Sequence, residues 1–148
     1  PNTVCSSDYI IIEDIFPTFL EMAGANQIKQ PDGSMDGKSF VPLLKGEKGF
    51  SKGRPLFWHF PHTYDQLPNS SVRKDDWKLI YFYIDKKLEL YNLADDIGET
   101  NNLADKEPKK LKELATTLGN FLRESGALLP IDKRTKKTFP YPDELLDL

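Results

Sequence analysis

Between Ser71 and Leu103 the chain carries two successive runs rich in aliphatic and aromatic side chains, separated by a short polar segment, and a stretch written this way has few ways to fold. In Trp77–Tyr83, Leu79, Tyr81 and Tyr83 fall on one side and Lys78, Ile80 and Phe82 on the other, which is the period of a β-strand. Leu88–Leu93 repeats the pattern after the polar Asp85-Lys86-Lys87, so the two runs predict an antiparallel hairpin. With no glycine in that connection, a longer loop is expected in place of a tight type I′ turn. Ser71–Lys74 and Leu56–Phe60 read as further strands, the latter ended by Pro61. At Pro108–Ser125 the period changes: Leu111, Leu114, Ala115, Leu118, Phe121 and Leu122 form one helical stripe, with Pro108 at the first position and Gly126 past the end. A sheet apolar on one face and a helix apolar on one stripe bury each other. The expected fold is therefore a small α+β domain, about four antiparallel strands packed by one long C-terminal helix.

The N-terminal part reads differently. Tyr9–Ala23 carries Ile12, Ile15, Phe16, Phe19, Leu20 and Ala23 at the spacing of a helix with one apolar stripe. Asp14 suits the N-cap, which puts Pro17 in the first turn, where its missing N–H has no intrahelical partner, and Gly24 suits the left-handed stop. From Ala25 to Gly53, Gly, Pro, Asp and Lys surround a knot of Phe40, Val41, Leu43 and Leu44, the composition of a connector pinned by one helical turn. Pro61–Asn69, with two prolines and no period, reads as a loop. Ala127–Leu148 has no clear period, and Phe139, Tyr141, Leu145 and Leu146 leave it two fates: docking on the domain, or order imposed by a neighbouring molecule.

Composition narrows the function classes. Apolar residues at 39% and aromatics at 11% suffice for a packed core. A formal net charge of −3 gives no basic field for nucleic acid, and the short Asp132–Lys137 run (DKRTKK) does not override it. No apolar run approaches the ~20 residues that span a bilayer. The single cysteine, Cys5, excludes an internal disulfide framework without deciding the compartment. Pro1 stands where an initiator Met would, with no charged-then-apolar leader before the first structured element, so an excised or truncated piece is expected.

Four segments in fixed order carry a family resemblance: Asp14–Gly24 (DIFPTFLEMAG), Asp36–Gly46 (DGKSFVPLLKG), Arg54–His62 (RPLFWHFPH) and Ser71–Leu103. The last contains Arg73-x-x-x-Trp77-Lys78-Leu79-Ile80, then Glu89-Leu90-Tyr91-Asn92-Leu93, then Asp96-x-x-Glu99-x-x-Asn102-Leu103. Together they resemble the C-terminal region of the formylglycine-dependent sulfatases of the alkaline-phosphatase superfamily. The resemblance implies the following division: residues 1–24 end with the last helix of an N-terminal catalytic domain otherwise absent here, 25–53 are a connector, 54–126 the C-terminal subdomain, and 127–148 an extended tail. That family matures a Cys or Ser in a Cys/Ser-x-Pro/Ala-x-Arg motif to formylglycine and usually uses Ca²⁺. Cys5 lies in Val4-Cys5-Ser6-Ser7-Asp8 without the required Arg, and the clustered Asp and Asn ligands of a hard cation are missing. The chain is expected to be a non-catalytic piece of a sulfuric ester hydrolase acting on sulfated carbohydrate. The partner implied is the N-terminal catalytic domain of the same polypeptide, with no nucleic acid and no membrane span, in the periplasm or outside the cell.

Candidate site residues centre on Trp58-His59-Phe60-Pro61-His62. A sugar ring needs a flat apolar face and a few directional hydrogen bonds, and an aromatic–His cluster at a strand-to-loop junction offers both. The resemblance implies that this loop reaches the mouth of the active-site cleft, which makes Trp58, His59, His62, Tyr64 and Arg73 the candidate substrate-binding residues. In the alternative reading Trp58 and Phe60 are core residues, one His bonds a backbone carbonyl and the other faces water. Arg73 can clamp a sulfate or carboxylate through paired N–H donors, or make a structural bridge to Asp75, Asp76 or Glu89. Asp95–Asn102 is rich in oxygen ligands but lacks the spacing of a calcium loop and reads as a structural turn. No catalytic or metal residue is expected: two histidines lack a third ligand, and Ser6 and Ser7 lack a nucleophile motif. Two other functions compete. One is a phosphatase, phosphonate hydrolase or phosphodiesterase of the same superfamily. The other is a stand-alone carbohydrate-binding or interaction module using Trp58 and the loop to Tyr64.

Overall fold

The computed structural model describes residues 8–25, 35–63 and 67–146. The chain divides into two compact units between Arg54 and Pro55.

In the second unit, β1 (Pro55–Phe60), β2 (Asn69–Lys74), β3 (Trp77–Phe82) and β4 (Lys87–Asn92) form one antiparallel sheet in the order β1-β2-β3-β4. The register aligns Phe57, Val72, Leu79 and Leu90 across the sheet. Val72, Leu79, Tyr81, Tyr83 and Leu90 are fully buried, as the alternation in the sequence requires. Helix α3 (Pro108–Glu124) covers this face with Leu114, Ala115, Leu118 and Leu122, all fully buried. The rings of Phe57 and Phe121 stack at 3.9 Å. Pro108 opens α3, and Gly126, at φ 64°, closes it in a Schellman motif: Ala127 N–H donates to the Leu122 carbonyl and Gly126 N–H to that of Arg123.

Strand β2 begins two residues before the run read from the sequence. Pairing decides this, because Asn69 and Ser70 face Phe82 and Tyr81 and Tyr83 N–H donates to the Pro68 carbonyl at 3.1 Å. Asp75 and Asp76 turn β2 into β3, with Asp75 at φ 55°. The β3–β4 connection runs over residues 83–86, with Lys86 at φ 48°, and is the longer loop that the missing glycine predicts.

The acidic segment after β4 is knotted by its own side chains. Asp96 accepts from the N–H groups of Thr100 and Asn101, both at 2.8 Å. Asn102 Oδ1 accepts from Leu90 N–H at 3.0 Å, and Leu103 N–H donates to the Leu90 carbonyl at 2.7 Å, so this loop covers the outer edge of β4.

Of its two possible fates, the C-terminal segment takes docking. Phe139, Tyr141, Leu145 and Leu146 pack against the core, Pro142 is fully buried, and Tyr81 Oη donates to the Pro140 carbonyl at 3.0 Å. Arg123 lies over the Tyr141 ring at 4.1 Å and pairs with Asp143 and Glu144 from the 3₁₀ turn Pro142–Leu146. This docking sets Asp143 against α3: a Cβ at Gly119 would overlap Asp143 Oδ1, so that carboxylate and its pair with Arg123 would have to shift. In an open helix Gly→Ala stabilises by about 0.5–1 kcal/mol. Gly119→Ala is expected to do the reverse, costing about 1–3 kcal/mol through overpacking. A thermal melt with a raised midpoint would contradict the packing.

In the first unit a 3₁₀ turn (Ile12–Asp14) leads into α1 (Ile15–Met22), and α2 (Val41–Leu44) is a single turn. Asp14 corrects the expectation from sequence, because its side chain makes no cap bond to α1. It is wholly buried and reaches back one turn to Ile11 N–H (3.0 Å), across to Lys38 N–H (2.8 Å), and to Arg54 Nη1 and Nη2 (2.9 and 2.7 Å). Helix α1 ends as expected, at Gly24 with φ 71°. Its buried residues are Pro17 and Thr18, while the apolar stripe lies open: Ile12, Phe16, Phe19 and Met22 are exposed by 72%, 53%, 64% and 64%.

Candidate functional site

Strand alternation separates the candidates. Trp58 and Arg73 lie on the sheet face turned away from α3, whereas His59, their neighbour in β1, lies on the face that α3 and the C-terminal segment cover. His62 sits past the strand end, its ring edge-on to Phe60 at 5.9 Å. Tyr64 lies outside the described residues, as do Cys5, Ser6 and Ser7.

His59 is held by internal partners. A carbonyl only accepts, so the 3.1 Å contact with Leu128 O places the proton on Nε2, and in the neutral tautomer Nδ1 accepts from Ser70 Oγ at 2.7 Å. Ser70 Oγ in turn accepts from Tyr83 Oη at 2.7 Å. Burial pushes the Tyr83 phenol up to about 12, although the Ser70 hydrogen bond pulls the other way, so Tyr83 stays a donor at neutral pH. The chain Tyr83–Ser70–His59–Leu128 pins the start of the C-terminal segment to β1.

Trp58 and Arg73 come together in a groove of ≈ 460 Å³ whose walls include Phe60, Lys78, Ile97 and Glu99. Trp58 and Phe60 are 42% and 38% exposed, large aromatic surfaces left open to solvent. Arg73 Nε makes a long contact to Asp75 O at 3.4 Å, and Lys78 pairs with Glu99 at 2.7 Å. The groove joins an aromatic platform to directional donors, a combination that suits a polar ring with anionic substituents. Sequence reasoning missed Lys78, Ile97 and Glu99, which lie in the strand and turn motifs read there as scaffold. Alternation alone would have placed Lys78 beside Arg73.

Among the described residues no group of three or more His, Cys, Asp or Glu side chains can hold a metal ion. In the acidic loop the Asp96 oxygens already accept from the N–H groups of Thr100 and Asn101 and from the Thr100 hydroxyl, and Glu99 is paired with Lys78. Among the described residues, this loop does not fit a calcium ion.

Comparison with known proteins places this geometry. The model of the N-sulphoglucosamine sulphohydrolase C-terminal family matches residues 2–126. The chain belongs to that sulfatase family. Among relatives, a sulfatase of Formosa agariphila is 36% identical over 155 residues, covering 96% of this chain and 28% of its own length. A Delta 4,5-hexuronate-2-O-sulfatase of Bacteroides thetaiotaomicron is 36% identical over 105 residues, 69% of this chain and 21% of its own. In fold, a solved 2-O GAG sulfatase matches 87% of this chain and 29% of its own, with TM-score 0.63 and 27% identity. A protein solved with its substrate D-glucosamine-2-N,6-O-disulfate matches 75% of this chain and 23% of its own, with TM-score 0.59 and 29% identity. The chain is thus the C-terminal region of a sulfatase and spans about a quarter of the relatives' length. The four-stranded sheet and long helix are what this sulfatase region was expected to hold.

Proposed function

We propose that this sulfatase region is part of a parent enzyme that removes sulfate esters from an anionic carbohydrate, and that Trp58 and Arg73, with His62 at the strand end, border the sugar. The observation that carries this reading is the family match over residues 2–126, supported by relatives and fold neighbours whose stated substrates are sulfated sugars. The exposed aromatic pair beside Arg73 supports the site. The formylglycine and Ca²⁺ that the family uses are supplied, in this reading, by the remainder of the parent, its N-terminal catalytic domain. The open stripe Ile12, Phe16, Phe19 and Met22 is the face that this remainder covers. His59 holds the C-terminal segment and does not touch sugar, and Tyr64 stays a candidate from sequence. By the same family resemblance we place the parent in the periplasm or outside the cell, and cell fractionation checks this.

The test is sulfate release from D-glucosamine-2-N,6-O-disulfate, followed by ion chromatography, with the full parent protein and with this chain alone. The parent is expected to release sulfate and the isolated chain none. In the parent, Trp58→Ala is expected to raise KM about tenfold with a smaller change in kcat, the signature of lost uniform binding. Hydrolysis of phosphate esters without sulfate release would overturn the reading. So would turnover by the isolated chain that one of its own substitutions abolishes.

A further inference from the structure

Three segments of the second unit border an open pocket of ≈ 760 Å³: the loop at His62, the β3–β4 connection at Lys86, and the C-terminal stretch 130–139. That last stretch contains the basic run read from the sequence as too short for nucleic acid, and the structure gives it a defined shape. Ile131 bridges Thr138, Phe139 N–H donates to the Pro130 carbonyl at 3.0 Å, and Asp132 N–H to that of Lys137 at 2.9 Å. Lys133 and Arg134 therefore sit at the tip of a hydrogen-bonded hairpin, on the pocket wall.

Among the described lining residues, three basic side chains, Lys86, Lys133 and Arg134, oppose one carboxylate, Asp132. That carboxylate turns inward: it accepts from the Arg134 backbone N–H at 2.8 Å and lies 3.9 Å from Arg134 Nε. The Arg134 side chain remains 93% exposed. Between these charges the wall is apolar, with Ile84, Ile131 and Phe139. An open basic pocket of this size with apolar walls suits a sugar ring carrying anionic groups. A nucleic-acid strand would instead need a cationic track along many phosphates.

We propose that this pocket binds an anionic sugar unit, sulfated or carboxylated, of an oligosaccharide substrate, with Lys86, Lys133 and Arg134 holding its charges and Ile131 and Phe139 meeting its ring. The proposal rests on the sulfated-carbohydrate reading above and adds a binding site to it. Sulfate and carboxylate both match these donors, Arg134 through its paired N–H groups and the lysines as point charges.

The test is calorimetric titration of the whole 148-residue chain with a heparin tetrasaccharide and with its fully desulfated, N-acetylated counterpart. Saturable one-to-one binding of the sulfated sugar is expected, weaker at higher salt and at least tenfold weaker for the desulfated one. Lys133→Ala with Arg134→Ala is expected to weaken it tenfold or more, and Lys86→Ala about threefold to tenfold. Lys109→Ala, on α3, is the charge control and should leave it unchanged. These side chains are exposed, and unchanged melting temperatures show that the variants stay folded. The pocket is overturned if no saturable binding occurs, if Lys109→Ala weakens binding as much as the pocket variants, or if an oligonucleotide of equal charge binds as well. Any of these with sulfate release by the parent intact removes the pocket and leaves the enzyme reading standing. Absent sulfate release by the parent removes that reading instead.

Discussion

Asp14→Ala is expected to unfold the described part of the first unit, residues 8–25 and 35–54, at a cost of about 3–5 kcal/mol, the range for stripping one partner from a buried ion pair. The loss is large because one carboxylate serves four donors: the Ile11 and Lys38 N–H groups and both terminal nitrogens of Arg54. Alanine leaves a guanidinium that is 18% exposed without its counter-charge, and two backbone donors without acceptors. The same turn is tied a second time through Thr18 Oγ1, which donates to the Asp14 carbonyl at 2.6 Å and accepts from Phe40 N–H at 3.0 Å. Hydrogen exchange read by mass spectrometry checks the result: protection around residues 11, 38 and 40 should vanish while that of β3 persists. Retained protection at Lys38 would show that the pair does not hold the unit. Acid gives the same test continuously. Burial raises the Asp14 pKa, but the Arg54 hydrogen bond and the Lys38 and Ile11 N–H groups outweigh it, and the net shift is downward. Its stabilisation is therefore complete above the ordinary carboxylate value and is lost as pH falls below that value through the lowered one. Wild-type protection in 8–25 and 35–54 should collapse in that acid window, and Asp14→Asn should start lower and respond less to acid.

Shortening the chain at Gly126, where the family match ends, is expected to destabilise the sheet and helix more than any single substitution in them. The removed stretch carries Phe139, Tyr141, Leu145 and Leu146 onto the core, each large apolar side chain being worth about 1.5–3 kcal/mol when fully buried. It also supplies the carbonyls of Leu128 and Pro140, which accept from His59 and Tyr81. Tyr81 is wholly buried, and its hydroxyl would face apolar surroundings without an acceptor. At about 4–8 °C per kcal/mol for a domain of this size, the midpoint should fall by well over 10 °C. A shortened chain that melts within a few degrees of the full one would show that residues 127–146 contribute little to the core.

How much of this was legible in the sequence depends on the range of the forces involved. Leu79, Tyr81 and Tyr83, like the stripe of α3, announce their burial through a period that neighbouring residues share, and the structure places them in the core. Asp14 was not legible in this way. A carboxylate before a helix reads as a cap on local spacing alone, and nothing local says that Arg54, forty positions on, will claim it. The order of the C-terminal segment was hidden for the same reason, since its contacts with Tyr81, Tyr83 and Arg123 are all long-range. At the candidate site the sequence reading grouped Trp58 and His59 in one cluster, and the strand separates them. Trp58 and His59 are adjacent in a strand and must point to opposite faces, so one cleft does not take both.

In the sheet, each strand pairs with the strand next to it in sequence, without a crossover. The connection from β2 to β3 is two residues and that from β3 to β4 only slightly longer, so the entropy of closing these loops is small. Such an arrangement has a kinetic meaning. The two central strands can find each other before any distant part of the chain is in place, and a sheet made of local contacts belongs among fast-forming topologies. The meander then presents an apolar surface on which α3, and after it the C-terminal hairpin, can condense. On this topology the sheet is expected to form first and the segment that borders the basic pocket last, an order that pulsed hydrogen exchange during refolding checks.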